Sequence, residues 1–266
     1  MQLYFKEFGR GEPLIILHGL FGSSDNWLGL AQKFAVKFHI FVLDLRNHGR
    51  SPHSDEMNYS LMAGDVVEFL DGQKIESTNV LGHSLGGKVA MQFALNFPAR
   101  VKKLIVADMA PRVNPPEQER IFSALLALDL KLFQSRGQIE NALAPGIPEL
   151  SIRQFLLKSL GLDSSGALFW KMNLRSLAQN YPRLCEAVTV GISFTKPALF
   201  LRGGKSNYIL ESDFPLIQKL FTRAKIETIP EARHWLHADA PEEFARRVLE
   251  FLDWCECGTK KLQEKT

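Results

Sequence analysis

Ser84 stands in the run Gly82-His83-Ser84-Leu85-Gly86, where a serine with glycines two positions to either side could act as a covalent nucleophile. Such a serine needs a base to take its proton, an acid to orient that base, and N–H donors to receive the oxyanion of an acylated intermediate. The five-residue pattern is weak taken alone. With glycine and serine each near 7% of residues, a chain of this length meets it by chance on the order of one time in ten. Its context strengthens it: Thr78–Leu81 reads as a strand entering the motif and Leu85 onward as a helix leaving it, the arrangement of a nucleophile elbow. A sharp strand-to-helix turn strains the serine, and small neighbours (Gly82, Gly86 and Gly87) let the two elements pack closely. The helix N-terminus would set the Leu85 N–H beside the serine, facing an oxyanion. A second glycine-rich run, His18-Gly19-Leu20-Phe21-Gly22, follows the apolar run Leu14–Leu17 and could turn another backbone N–H toward the same carbonyl. The bland alternatives are an incidental serine in a tight turn and an ordinary strand-ending loop.

The elements that would position these groups are legible in the periodicity. Leu14–Leu17, Ile40–Leu43, Asn79–Leu81 and Leu104–Ala107 read as strands buried on both faces, with helices near Trp27–Val36, Tyr59–Asp71 and Leu85–Phe97 between them. The pattern returns with strands at Ala198–Leu201 and Ile226–Ile229 and helices near Asp213–Phe221 and Pro241–Trp254. Alternation at this spacing implies an α/β fold with a mostly parallel sheet covered by helices. From 112 to 195 three helical patterns, Glu117–Gln134, Glu149–Leu160 and Gly166–Tyr181, occur with no convincing strand. This stretch reads as a helical cap inserted between two sheet strands, over the strand ends where open α/β sheets carry function. The domain reading is therefore a core of 1–111 and 196–256, a cap of 112–195, and a polar tail of 257–266.

Of the 266 residues, 45% are hydrophobic and 23% charged, ordinary values for a globular protein. The net charge of +3, from 32 basic and 29 acidic residues, gives no strong field, and no basic stripe is interleaved with aromatics, which argues against nucleic acid as the main partner. Cys185, Cys255 and Cys257 form neither a C-x-x-C pair nor an even framework, so the expectation is a reducing compartment and no metal site. The start Met1-Gln2-Leu3-Tyr4-Phe5-Lys6-Glu7 lacks the features of a signal peptide, and no apolar run approaches the ~20 residues of a membrane span. A soluble cytoplasmic protein is the default expectation.

His18-Gly19, Asp44-Leu45-Arg46-Asn47-His48-Gly49-Arg50-Ser51, Gly82–Gly87 and Arg233-His234-Trp235-Leu236-His237-Ala238-Asp239 together resemble the α/β-hydrolase superfamily in order and spacing. The nearest likeness is to the YbfF-type esterase group, through the His-Gly-Leu-Phe-Gly, Arg-Asn-His-Gly and Gly-His-Ser-x-Gly-Gly-Lys runs. The resemblance covers nearly the whole chain and is most specific before residue 112. It implies an eight-stranded sheet or a near variant, a helical cap and a Ser-Asp-His triad.

In this fold the base follows the last strand, which admits His234 and His237. His234 matches the family position, immediately before an aromatic residue, and His237 reads as a support or surface residue. Arg233 departs from the glycine usual in relatives. His18 and His83 read as structural, His48 as a turn residue, and His39 and His53 as exposed or half-buried. In many relatives the acid follows the strand at Ala198–Leu201 in a Gly-x-x-Asp turn, but this chain has Gly203-Gly204-Lys205-Ser206 there. Asp108 ends the strand Leu104–Ala107, 24 residues past the serine, as in the YbfF-type variant. Strands spaced about 4.8 Å apart let it reach the imidazole from one strand away. Asp213 and Glu211 are outside candidates, while Asp44 lies beyond Leu14–Leu17 and reads as a structural charge cluster with Arg46 and Arg50.

The resulting expectation is a carboxylesterase for small to medium acyl esters. Ser84 is the nucleophile, His234 the base and Asp108 the acid, with the N–H groups of Leu85 and of Leu20, or alternatively Phe21, as oxyanion donors. No metal or organic cofactor is required. The aspartate nucleophile of dehalogenases and epoxide hydrolases is missing at position 84. Thioester or C–C bond hydrolysis and a non-catalytic binding role are the alternatives, since the fold serves all three. Phe122, Phe133, Phe155, Phe169 and Trp170 read chiefly as cap core, and any that face the serine would make an apolar site.

Overall fold

The apolar runs pair into one sheet because neither of their faces meets water: Leu14–Leu17, Ile40, Val42, Leu43 and Leu104–Ala107 are fully buried. The computed structural model describes residues 1–189 and 191–254; Cys255, Cys257 and the tail 257–266 lie outside them. The first half of the core contains β1 (Phe5–Phe8), β2 (Glu12–Leu17), α1 (Leu28–Phe34), β3 (Phe38–Leu43), α2 (Tyr59–Gly72), β4 (Thr78–His83), α3 (Leu85–Asn96) and β5 (Val101–Ala107). The cap follows with α4 (Glu119–Leu126), α5 (Arg136–Leu143), α6 (Leu150–Leu157), β6 (Leu160–Leu162), β7 (Leu168–Trp170) and α7 (Leu174–Cys185). The core then resumes with β8 (Ala198–Gly203), α8 (Phe214–Leu220), β9 (Ala224–Ile229), α9 (Leu236–Asp239) and α10 (Pro241–Asp253).

Seven strands are ordered β1-β3-β2-β4-β5-β8-β9. All neighbours run parallel except β1, an unanticipated strand that pairs antiparallel with β3 at the edge. The sheet is thus a near variant of the eight-stranded form. Alternate residues of each strand face opposite sides. Leu14, Ile16, Leu81 and Ile105 pack with Trp27, Phe34, Phe244 and Val248 on the face covered by α1 and α10. Ile15, Val80, Leu104 and Val106 pack on the other face with α2, α3, α8 and the base of the cap.

The cap differs from expectation in three places. Glu117–Gln134 is not one helix: α4 stops at Leu126, and a short 3₁₀ turn follows at Leu130–Leu132, started by Asp129, whose side chain accepts the Lys131 N–H. Helix α5, which was not anticipated, is capped by the Ser135 side chain. Gly166–Tyr181 is not a single helix either. β6 and β7 form a hairpin with Leu160 opposite Trp170. Asp163 makes its turn by accepting the N–H groups of Ser165 and Ala167. Helix α7 begins only at Leu174, where Asn173 accepts the Ser176 N–H.

The two ends of the cap meet. Asn114 N–H donates to Cys185 O at 2.8 Å and Val188 N–H to Pro111 O at 3.0 Å. Helix α3 grips the returning chain: Lys88 Nζ donates to Glu186 O at 2.5 Å, and Gln92 exchanges hydrogen bonds with Thr189. Burial pushes the Lys88 ammonium down to about 8. Among the described residues no helix is long and apolar enough to cross a membrane.

Candidate active site

β4 ends at His83, and the chain turns into α3 at Ser84, which has φ 53° and ψ −117°. A non-glycine residue held there costs on the order of 1–3 kcal/mol. The strain is sustained by packing too close for side chains. A Cβ on Gly82 would lie 2.1 Å from Gly86 O, and one on Gly86 would lie 2.3 Å from Leu17 O. Leu85 is the first residue of α3, so its N–H has no acceptor within the helix.

In the register of β4 and β5, His83 is opposite Ala107, so the residues just past the two strands, Ser84 and Asp108, are neighbours. Asp108 is fully buried, with φ 50°. Its Oδ1 accepts the Gly203 N–H at 3.0 Å from the adjoining end of β8. Its Oδ2 accepts from Ser206 Oγ and faces His234 Nδ1 at 2.8 Å. His234 comes from the loop after β9, and its Nε2 lies 2.9 Å from Ser84 Oγ. A carboxylate can only accept, so the imidazole proton sits on Nδ1 and the Nε2 lone pair faces the serine.

Other residues hold the imidazole in place. His83 Nε2–H donates to the His234 carbonyl at 2.9 Å, and the Tyr208 ring stacks on the His234 ring at 3.8 Å. Burial pushes the Tyr208 phenol up to about 12 and the His83 imidazole well below its usual value. His237 stays away from Ser84; its ring stacks on Trp27 at 4.4 Å and meets His83 edge-on. Arg233 needs no left-handed backbone, and its N–H and guanidinium both bind Asp239.

The remaining acidic candidates lie elsewhere. Asp213 binds Arg112, and Glu211 binds Arg202. Asp44 is buried but does not form the expected cluster with Arg46 and Arg50. It accepts the N–H groups of Ser24 and Arg50, whereas the Arg46 guanidinium pairs with Asp65 of α2 and the Arg50 side chain reaches Tyr4. Backbone donors, already fixed by the two loops, satisfy Asp44 without needing a counter-charge. His39 is half-buried against Glu7, and His53 is exposed.

In the loop after β2, the Phe21 N–H is taken by His48 Nε2 at 3.3 Å, whereas the Leu20 N–H has no acceptor among the described residues. His18 Nε2 accepts the Leu45 N–H at 3.0 Å, and its Nδ1–H donates to Gly19 O. Both rings act as acceptors and so must be neutral. Burial holds His18 down to about 4 and His48 to about 3.

Above Ser84 lies a cavity of about 270 Å³, walled by Leu20, Tyr59, Met109, Leu156, Leu184 and Trp235, with Asn114 and Gln118 at its polar part. Of the five cap aromatics Phe155 lines it. Phe122 packs against Phe21 and Tyr181, and Phe169 is 42% exposed. Sequence reasoning missed Ser206 and Tyr208. Ser206 could have been found, because it occupies the position where a carboxylate was expected. Tyr208 carries no pattern of its own.

The fold agrees with that of known proteins to which the chain is similar. Residues 12–136 match the model of the alpha/beta hydrolase fold family. Esterase YbfF of Escherichia coli is 34% identical over 245 residues, spanning 92% of this chain and 94% of that one. The sn-1-specific diacylglycerol lipase ABHD11 of Xenopus tropicalis is 37% identical over 251 residues, spanning 91% and 78%. A solved marine microorganism esterase superposes with a TM-score of 0.92 at 44% identity, covering 94% of this chain and 99% of that one.

Proposed function

This chain belongs to the α/β-hydrolase fold family, and on that premise we propose that it is a serine carboxylesterase acting on small to medium acyl esters. Ser84 Oγ attacks the ester carbonyl while His234 Nε2 takes its proton, and Asp108 keeps the second imidazole proton on Nδ1 and stabilises the imidazolium. The N–H groups of Leu85 and Leu20 receive the oxyanion, each worth about 3 kcal/mol in the transition state. Collapse expels the alcohol, which takes the proton back from His234. Water, deprotonated by His234, then hydrolyses the acyl-enzyme and releases the acid. No step calls for a metal or organic cofactor.

One observation carries this reading: a single imidazole bridges Ser84 Oγ at 2.9 Å and the buried Asp108 carboxylate at 2.8 Å, beneath an apolar cavity. The substrate size is supported by the cavity, whose volume of about 270 Å³ lies just below the usual span of ligand pockets, about 300–1,000 Å³. The relatives named esterase or lipase support an ester bond as the target. Cysteine usage in the sequence supports a reducing, cytoplasmic setting.

A fluorophosphonate probe tests the nucleophile: intact protein takes one label at Ser84 and Ser84→Ala takes none. Absence of label on the intact protein would sink the proposal. A series of p-nitrophenyl esters tests the size, with kcat/KM highest at short to medium acyl chains and falling for long ones.

A further inference from the structure

Phe21, with φ 64°, is gripped by both halves of the molecule. From the core, His48 Nε2 accepts its N–H. From the cap, Ser159 Oγ donates to its carbonyl at 2.6 Å, across 138 positions of sequence. Ser159 is 4% exposed and sits between α6 and β6, with its N–H on Leu156 O and its carbonyl accepting the Lys171 N–H. The hydroxyl therefore has a fixed origin.

A trans peptide is planar, and its C=O and N–H point in opposite directions. The Phe21 carbonyl held by Ser159 thus aims the Gly22 N–H, which donates to Gly19 O at 3.0 Å. The Gly19 carbonyl, held also by His18 Nδ1 at 2.8 Å, in turn aims the Leu20 N–H the opposite way. Among the described residues the Leu20 N–H has no acceptor, and Leu20 lines the cavity beside Ser84. The Phe122 ring of α4, 4.9 Å from the Phe21 ring, adds a second cap contact to the same residue.

We propose that Ser159 is a positioning residue for the oxyanion donor: the cap aims the Leu20 N–H through two peptide planes joined by the Gly22 N–H to Gly19 O hydrogen bond. The inference rests on Ser84 as nucleophile and Leu20 as donor. The cap then does more than wall the cavity, because its seating completes the geometry that stabilises charge in the transition state. Donors of this kind act only when aimed at the place the oxyanion will occupy.

Ser159→Ala tests it. On a p-nitrophenyl ester kcat falls about tenfold, equivalent to about 1.4 kcal/mol, while KM stays within about twofold. A boronic acid, which forms a tetrahedral adduct with the serine, loses affinity by the same factor, whereas the product carboxylic acid binds as before. Ser159→Thr, which keeps the hydroxyl, restores kcat. Where the alanine variant does not fold, Ser159→Cys, nearly isosteric but a weaker donor, is measured on the same constants. Parental kcat and boronate affinity in the variant would overturn the proposal. So would a loss confined to KM or melting temperature, which would make Ser159 a cap staple alone. A parent protein that binds no boronate and takes no fluorophosphonate label would instead remove the nucleophile reading, and this one with it.

Discussion

Asp108→Asn should nearly abolish turnover while leaving the fold intact, and the contacts dictate why. Three donors converge on the carboxylate: the Gly203 N–H on Oδ1, and Ser206 Oγ and His234 Nδ1 on Oδ2. An asparagine must replace one oxygen by NH₂. The Gly203 N–H can only donate, so the amide oxygen has to stay on that side. The NH₂ then faces Ser206, which can rotate its hydroxyl and accept, and His234, which must accept at Nδ1. That forces the imidazole proton onto Nε2, toward Ser84 Oγ, where no lone pair remains to take the serine proton. A wrong tautomer of this kind lowers kcat by about 10⁴, or about 5.5 kcal/mol. Steady-state hydrolysis of p-nitrophenyl butyrate measures it, with the melting temperature as a control for folding. A loss below tenfold in a folded variant would refute this account of the acid, and an equal loss in Asp213→Asn would move the acid to the later loop.

Three further outcomes follow from the same geometry. Ser206→Ala removes one donor from Oδ2 and should lower kcat about tenfold with KM unchanged; unaltered kinetics would show that the hydroxyl contributes nothing to the acid's placement. Gly82→Ala drives a Cβ to 2.1 Å from Gly86 O, so thermal melting should show about 3 kcal/mol of destabilisation; an unchanged melting temperature would show that the elbow yields to a methyl group. Acidification should destabilise the native state below about pH 6.5. There the unfolded chain protonates histidines that burial keeps neutral: His18 (about 4), His48 and His237 (both about 3), and His83, which is also depressed. Their folded values are lowered, so this contribution is fully present above 6.5 and is lost as pH falls toward about 3–4, each group costing about 1.4 kcal/mol per pH unit. Urea midpoints from pH 7 to 5 check this, and a flat profile would mean that these rings take up protons alike in the folded and unfolded chains.

What the sequence revealed was whatever leaves a local or register signature. Ser84 carries glycine spacing and a strand-to-helix switch. Asp108 ends a strand adjacent to β4, so strand order alone places it near the serine. Contacts made across the chain left no such trace. Ser159 meets Phe21 from 138 positions away, and Tyr208 stacks on His234 with nothing in its neighbours to announce it. The strands of the cap hairpin are three residues each, too short to display an alternation of period two, and their apolar residues passed for helix. The Asp44 cluster was misread because proximity in sequence suggested ion pairing, whereas the arginine found its carboxylate on α2.

The meeting of the cap's two ends, where Asn114 bonds to Cys185 and Pro111 to Val188, makes the insertion a removable cassette. Its entry and exit are already joined, so a short turn could seal the core after excision, and a foreign cap could be spliced in at the same stitches. Neither product would inherit the donor at Ser159. A cap exchanged at this seam would have to match the apolar face the present one buries and carry its own hydroxyl for the Phe21 carbonyl.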